Sequence, residues 1–242
     1  MAKKYKFVVT AGSTREKIDD VRDWGNIFTG KTGLEISLAL ADVGDVLLLT
    51  SNGAHAAEFH GNTGKSGRID CATFQRHADL LALLATAMRG PPPDAVLMTA
   101  AVTDYAPSGA FAIIASESIP GTNRQRWVVE DIQASKIKST HQQVAFTGKP
   151  TLKLIDQFRS TWKYRGVLVK FKLEAGVTEP QLLEIARASR SASDANIIVA
   201  NTLEMVQGPE PAAYIIGDGL TQRVPRAHLP AMLAQYISDQ LK

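Results

Sequence analysis

Cysteine is almost absent from this chain. Cys71 stands alone in 242 residues, so no internal disulfide can form, and nothing points to an oxidising compartment. Histidine is scarce as well. The five residues His55, His60, His77, His141 and His228 show no metal-ligand spacing, which argues against a zinc site. With no Cys–His pairing and no serine in a nucleophile-elbow pattern, covalent hydrolase chemistry has no support. No apolar run approaches the ~18 residues of a membrane helix, so no membrane partner is expected. Met1-Ala2-Lys3-Lys4 leads straight into a strand-like run without an apolar leader, and the expected setting is cytoplasmic. An excess of one charge is missing too. The 27 basic and 24 acidic residues give +3, and the lysines and arginines are scattered among acids, so no nucleic-acid partner is indicated, whereas small anionic molecules fit.

What is present is apolar patterning. A 45% hydrophobic content is enough for a full core in one domain over 1–242. Strand-like runs fall at Lys6 to Val9, Asp45 to Thr50, Arg68 to Ala72, Ala95 to Thr99, Val167 to Phe171 and Asn196 to Val199. Amphipathic helices are expected between them. Thr32 to Val43 places Leu34, Leu38 and Ala41 on one face, and Phe74 to Met88 does the same with Leu80, Leu84 and Met88. Gln181 to Arg190 follows Thr178-Glu179-Pro180, a hydroxyl cap with an early proline. This alternation predicts an α/β fold, a doubly wound, Rossmann-like parallel sheet. The stretch from about 110 to 150 breaks the rhythm with alternating apolar and polar residues and the turn Ile119-Pro120-Gly121-Thr122-Asn123. It reads as an inserted antiparallel arm whose edges invite a second copy, a dimerisation arm.

Several motifs gather at strand ends. Phe7-Val8-Val9 runs into Thr10-Ala11-Gly12-Ser13-Thr14, small and hydroxylated residues that let backbone N–H groups approach phosphate oxygens. A polar link then offers Arg22 and Asn26 before Thr29-Gly30-Lys31-Thr32-Gly33 opens a helix. Gly25 to Thr32 has Walker A spacing, but charged, irregular residues precede it, where a P-loop needs an apolar strand. Its plain reading is a glycine turn and helix cap, its functional one an anion site. Gly64-Lys65-Ser66-Gly67 reads as a polar loop. Thr99-Ala100-Ala101-Val102-Thr103-Asp104 leaves room for a ring or ribose at a strand end, with Asp104 able to hold a hydroxyl or magnesium, or simply to cap a turn. Lys136 and Lys138 project together from an extended segment, either solvated or closing over a triphosphate. Phe171 and Lys172 end another strand, as core and surface or as a base-stacking pair. Val199-Ala200-Asn201 ends the last.

Taken in order, Thr10 to Glu16, Ile18-Asp19, Val21-Arg22, Asn26 and Thr29 to Gly33 resemble the opening of phosphopantothenoylcysteine synthetase. Ala100-Ala101-Val102 with Asp104-Tyr105, Lys136-Ile137-Lys138, Phe171 to Glu174 and Val199-Ala200-Asn201 follow in that family's order. The resemblance covers about residues 5 to 238. It implies a ligase that joins 4'-phosphopantothenate and cysteine through an acyl-nucleotidylate, with ATP or CTP as co-substrate and Mg2+, in a homodimer. Asn26 then corresponds to the residue holding the acyl group, Arg22 to a nearby cation and Lys136 to a mobile-loop lysine. Ala100, Ala101, Asp104, Phe171 and Lys172 correspond to the nucleotide pocket, with Gly12, Ser13, Thr14, Thr29 and Gly30 beside the phosphates. The metal ligands are not specified.

The chain departs from the family pattern at Phe28-Thr29, where two serines are usual. It also departs at Ser139, where many bacterial members have lysine, and at Lys172-Leu173, where they have an alanine pair. These features are closer to the free-standing branch, in which the flavin-dependent decarboxylase is a separate polypeptide. Two other readings compete: a divergent relative that binds nucleotide without ligation, and an NAD(P)-binding oxidoreductase or regulatory module. Against the last, Gly12-Ser13-Thr14-Arg15 lacks the further glycines of a dinucleotide loop, and no acid ends the second strand at Thr50-Ser51-Asn52.

Overall fold

In the computed structural model, which describes residues 4–58 and 67–242, an eight-stranded sheet is flanked on both faces by helices. The loop expected around Gly64-Lys65-Ser66, and His60 with it, lies outside the described residues. The sheet contains β1 (Tyr5–Ala11), β4 (Gly44–Thr50), β5 (Ile69–Thr73), β6 (Ala95–Met98), β10 (Val167–Glu174), β11 (Ile197–Thr202), β12 (Ala212–Gly217) and β13 (Leu220–Pro225). A two-stranded hairpin is formed by β2 (Arg15–Lys17) and β3 (Asp23–Gly25). The helices are α1 (Lys31–Ala41), α2 (Gly53–Glu58), α3 (His77–Arg89), α4 (Leu154–Ser160), α5 (Glu179–Ala192), α6 (Leu203–Gln207) and α7 (Leu229–Gln240).

Strand order across the sheet is β13-β12-β11-β10-β6-β1-β4-β5. All pairs from β11 to β5 are parallel, while β12 and β13 are antiparallel additions at one edge. The six parallel strands therefore follow a doubly wound order. The sheet is mostly rather than wholly parallel, because the chain after β11 turns back through the short helix α6 instead of crossing over the sheet, and a tight hairpin then joins β12 to β13. Order reverses between β1 and β6, and the crevice of an open α/β sheet lies at such a switch point.

Each strand splits its side chains between the two faces. Phe7, Val9 and Ala11 pack with Ile36 and Leu40 of α1 and Leu229, Leu233 and Ile237 of α7. Val8 packs on the other face with Leu80 and Leu84 of α3 and Leu154 and Phe158 of α4. The expected stripe on α1 is rotated: Leu38 is exposed, and the buried face carries Gly33, Ile36, Ser37, Leu40 and Ala41. Small residues at 33 and 37 let the helix lie against the end of β1, so the contact follows close approach rather than bulk. Helix α3 begins at His77, three residues later than expected, where the Asp79 carboxylate accepts hydrogen bonds from the N–H groups of Gln75 (3.2 Å) and Arg76 (2.8 Å). In α5, Thr178 caps as its sequence implies, with Pro180 in the first turn.

The arm is a three-stranded antiparallel sheet in the order β8-β7-β9, built from β7 (Tyr105–Ser118), β8 (Gln125–Asp131) and β9 (Val144–Pro150). It starts five residues earlier than the alternation suggests. Its two ends meet at one point, where Thr151 donates its N–H to the Asp104 carbonyl (2.9 Å) and its hydroxyl to the Thr103 carbonyl (2.6 Å).

The stretch from Gly12 to Gly30 forms the β2–β3 hairpin rather than an open link. Its turn is organised by Asp19, whose side chain is fully buried. One carboxylate oxygen accepts the N–H groups of Val21 (2.9 Å) and Arg22 (2.8 Å). The other takes the Arg22 guanidinium and the Ile137 N–H (3.1 Å). The Arg22 guanidinium, first, and these backbone donors hold the Asp19 carboxyl well below the usual carboxylate range. Because the folded-state pKa is depressed, the stabilisation is fully present above the unfolded value of about 3.9 and is lost as pH falls through the lower folded value. The stability difference between wild type and Asp19→Asn is therefore expected to be constant above about pH 5 and to shrink below about pH 4. Urea unfolding at a series of pH values measures it, and a gap that does not narrow in acid contradicts the assignment.

Candidate active site

A cleft of about 510 Å3 opens over the carboxyl ends of β1, β6, β10 and β11. Two glycines form its floor. Gly12 (φ 88°) and Gly30 (φ 89°) both occupy the left-handed region, and their backbones touch: a Cβ on Gly30 would sit 2.5 Å from the Gly12 nitrogen. A Cβ on Gly12 would lie 2.0 Å from Ser51 Oγ. This approach sets the first turn of α1, whose leading N–H groups have no intrahelical acceptor, directly over the end of β1.

Beyond β6 the chain continues past the end of β1 and is pinned there. Ala100 donates its N–H to Thr10 Oγ1 (3.0 Å), Ala101 to the Gly12 carbonyl (2.9 Å), and Thr14 to the Ala101 carbonyl (3.2 Å). Asn26 joins this junction by donating from Nδ2 to the Ala101 carbonyl (3.2 Å), and its own carbonyl accepts from Ser13 Oγ (2.9 Å). Gly12, Asn26, Thr29, Gly30, Ala100, Ala101, Asp104, Phe171 and Lys172 all line the cleft.

The remaining sequence-selected residues sit elsewhere. Ser13 and Thr14 are buried and their hydroxyls are committed to the scaffold, Thr14 Oγ1 lying 3.0 Å from Thr103 Oγ1 and accepting the Thr103 N–H (2.8 Å). Arg22 is tied to Asp19 and to the Ile137 carbonyl (2.8 Å), outside the cleft. Lys136 is exposed and does not line the cleft. Its segment bends at Ser135 and Lys136 instead of running extended, because Ile137 is buried and anchored to Asp19. The Gly25-to-Thr32 segment follows the β2–β3 hairpin and not a strand of the main sheet. Thr32 itself accepts a hydrogen bond from Arg226.

Sequence reasoning missed Lys153, Lys170 and Arg226, which line the cleft together with Lys31 and Lys172. Among the described residues Asp104 is the one carboxylate of the lining, against five lysines and arginines, so the cleft is cationic. Lys172 is partly neutralised by Glu174 at 2.9 Å. Lys153 directly precedes α4 and Arg226 opens a short 3-10 helix, neither marked by a motif, but Lys170 had a signal: a cation ending the apolar run Val167-Leu168-Val169. Phe28 stands at the cleft wall, 39% exposed. Among the described residues no cluster of three or more His, Cys, Asp and Glu side chains could hold a metal by itself. A second depression, of about 450 Å3, has Glu179, Glu204 and Glu210 around Arg223 and is unsuited to an anion.

A family model described as the DNA/pantothenate metabolism flavoprotein C-terminal domain matches residues 2–112. The coenzyme A biosynthesis bifunctional protein CoaBC of Thermococcus kodakarensis is 28% identical over 238 residues, covering 98% of this chain and 51% of that protein. The chain thus spans about half the length of that relative. Among solved structures, the DNA/pantothenate metabolism flavoprotein from Streptococcus pneumoniae superposes with a TM-score of 0.75 at 23% identity, covering 98% of this chain and 99% of the other. A Cab2 variant in complex with phosphopantothenate-cysteine has a TM-score of 0.63 at 13% identity, covering 98% and 86%. These two likenesses concern the fold: the same mostly parallel sheet carrying a separate antiparallel one. Motif order, the family model over residues 2–112 and the 28% identity over nearly the whole chain agree in likening this chain to proteins of coenzyme A biosynthesis.

Proposed function

We propose that this protein acts in coenzyme A biosynthesis as a nucleoside-triphosphate-dependent ligase joining 4'-phosphopantothenate to cysteine. The observation that carries the reading is a cationic cleft at the switch point of the sheet, with a glycine floor, a helix N-terminus and Asn26 on one side and Asp104, Phe171 and Lys172 on the other. The relatives' names point the same way.

In the first step a carboxylate oxygen of the acid attacks the α-phosphorus of ATP or CTP. The bond from that phosphorus to the bridging oxygen breaks, and pyrophosphate leaves. In the second, the cysteine amine attacks the acyl carbon, loses a proton and expels the nucleoside monophosphate. Both steps gather negative charge on phosphoryl or acyl oxygens, so fixed N–H groups and cations supply the stabilisation and no histidine is required. The N–H groups at the start of α1 and the Lys31, Lys172 and Arg226 side chains are placed for this work. Asn26, held by the Ala101 carbonyl, presents a neutral amide to the activated acyl group. Mg2+ enters as part of the nucleotide substrate, since Asp104 is the one carboxylate lining the cleft among the described residues and one carboxylate with substrate phosphates is an ordinary magnesium arrangement. Lys136, next to the Ile137 anchor and therefore tethered to the hairpin that carries Asn26, is read as a lysine that closes over the phosphates.

The arm supports a homodimer. Ile114 (61% exposed), Val128 (58%) and Trp127 (48%) show apolar surface to water, which a second copy of the arm would cover.

Lys136→Gln is expected to slow pyrophosphate release by an order of magnitude or more, one charge-assisted contact being worth roughly 1.5–3 kcal/mol. Asn26→Asp is expected to leave folding nearly intact and to release pyrophosphate without matching ligation product, because like charges repel the anionic intermediate. A pyrophosphate assay with 4'-phosphopantothenate, cysteine and each nucleotide checks both, and an inactive wild type with every nucleotide sinks the reading. Val128→Glu is expected to shift the protein from dimer to monomer in sedimentation equilibrium. A wild type that is already monomeric at micromolar concentration overturns the dimer.

A further inference from the structure

Lys170 occupies an unusual place for a cation. It lies on the interior strand β10, between Met98 of β6 and Ile198 of β11 in register. The preceding residues Val167, Leu168 and Val169 are all buried. Its Nζ is held by the end of α5, donating to the Ser189 carbonyl (2.9 Å) and to Ser193 Oγ (3.1 Å). Among the described residues no carboxylate oxygen lies within 4 Å of it, although Asp156, Lys153 and Lys172 are near enough to be felt. Burial, first of all, draws its pKa down, the expected state of a partly desolvated ammonium lacking a counter-ion. An ammonium has three hydrogens to give, and among the described residues two find acceptors. Lys170 and Ser189 both line the cleft.

We propose that Lys170 is a ligand-binding residue of the cleft, preset by Ser189 and Ser193, whose third hydrogen goes to a phosphate oxygen of a bound substrate. The inference rests on the reading of the cleft as a phosphate-ester site. It adds a residue that neither the sequence motifs nor the family resemblance selects. Two substrates of the proposed reaction carry phosphate, the nucleotide and 4'-phosphopantothenate, and Lys170 serves whichever loses affinity when the charge is removed. The competing role is structural, a cation closing the carboxyl end of α5.

Isothermal titration of the full chain with Mg-ATP, Mg-CTP, inorganic pyrophosphate and 4'-phosphopantothenate separates these outcomes. Lys170→Met is expected to weaken either the nucleotides or 4'-phosphopantothenate tenfold or more, to keep the other, and to melt no lower than wild type, because it removes a desolvated charge. Lys170→Arg is expected to restore part of the loss. The ligand affected identifies the source of the phosphate. Unchanged affinities with a lowered melting temperature establish the helix-closing role and overturn the proposal. A wild type that binds none of the four overturns the reading of the cleft, and the assignment falls with it. Should the Met variant not fold, amine acylation of the wild type read by mass spectrometry decides: protection of Lys170 by a phosphate ligand supports the proposal, and equal labelling with and without ligand refutes it.

Discussion

The contact between Gly12 and Gly30 is the constraint on which the cleft depends. Two left-handed turns meet backbone to backbone where any side chain would collide, and that meeting brings the start of α1 over the end of β1. Gly33 extends the same seam, since a Cβ there would lie 2.5 Å from Thr99 Oγ1 and 2.7 Å from the Ala11 Cβ. Position therefore follows from the lack of side chains at three points. The hydroxyls of Thr10, Ser13 and Thr14 then take up the polar backbone that such close packing exposes, and no buried side-chain nitrogen or oxygen is left unpaired among the described residues.

Around that seam, charge is divided between groups that hold the scaffold and groups left open. Asp19 and Arg22 neutralise each other while joining the hairpin to the segment at Ile137. Lys31, Lys153, Lys170 and Arg226 border the cleft with far fewer acids to balance them. A site of this kind discriminates by sign before it discriminates by shape, and the apolar wall at Phe28, Val102 and Leu152 supplies the shape.

Sequence reading succeeded where the code is local. The six parallel strands were legible because each is a short apolar run bounded by turn residues, and Thr178 announced α5 by its own capping chemistry. The edge strands β12 and β13 escaped: Ala212-Ala213-Tyr214 and Leu220-Thr221-Gln222 are weakly patterned, and their strand character comes from pairing with β11 and with each other. Leu38 was misplaced because periodicity marks an apolar face without knowing that Gly33 and Ser37 allow a closer one. In the cleft, residues on recognisable motifs were found, and Gly12, Asn26, Asp104 and Phe171 do converge there. Lys153 and Arg226 were not found, since their relevance arises only when distant segments fold to the same rim. Ser13 and Thr14 look like ligand contacts in a linear reading, yet the folded chain spends their hydroxyls on itself.

The clasp between Thr151 and the Thr103–Asp104 backbone roots the arm on the rim of the cleft. Asp104 thus belongs to both features, its backbone carbonyl closing the base of the arm and its side chain lining the cleft.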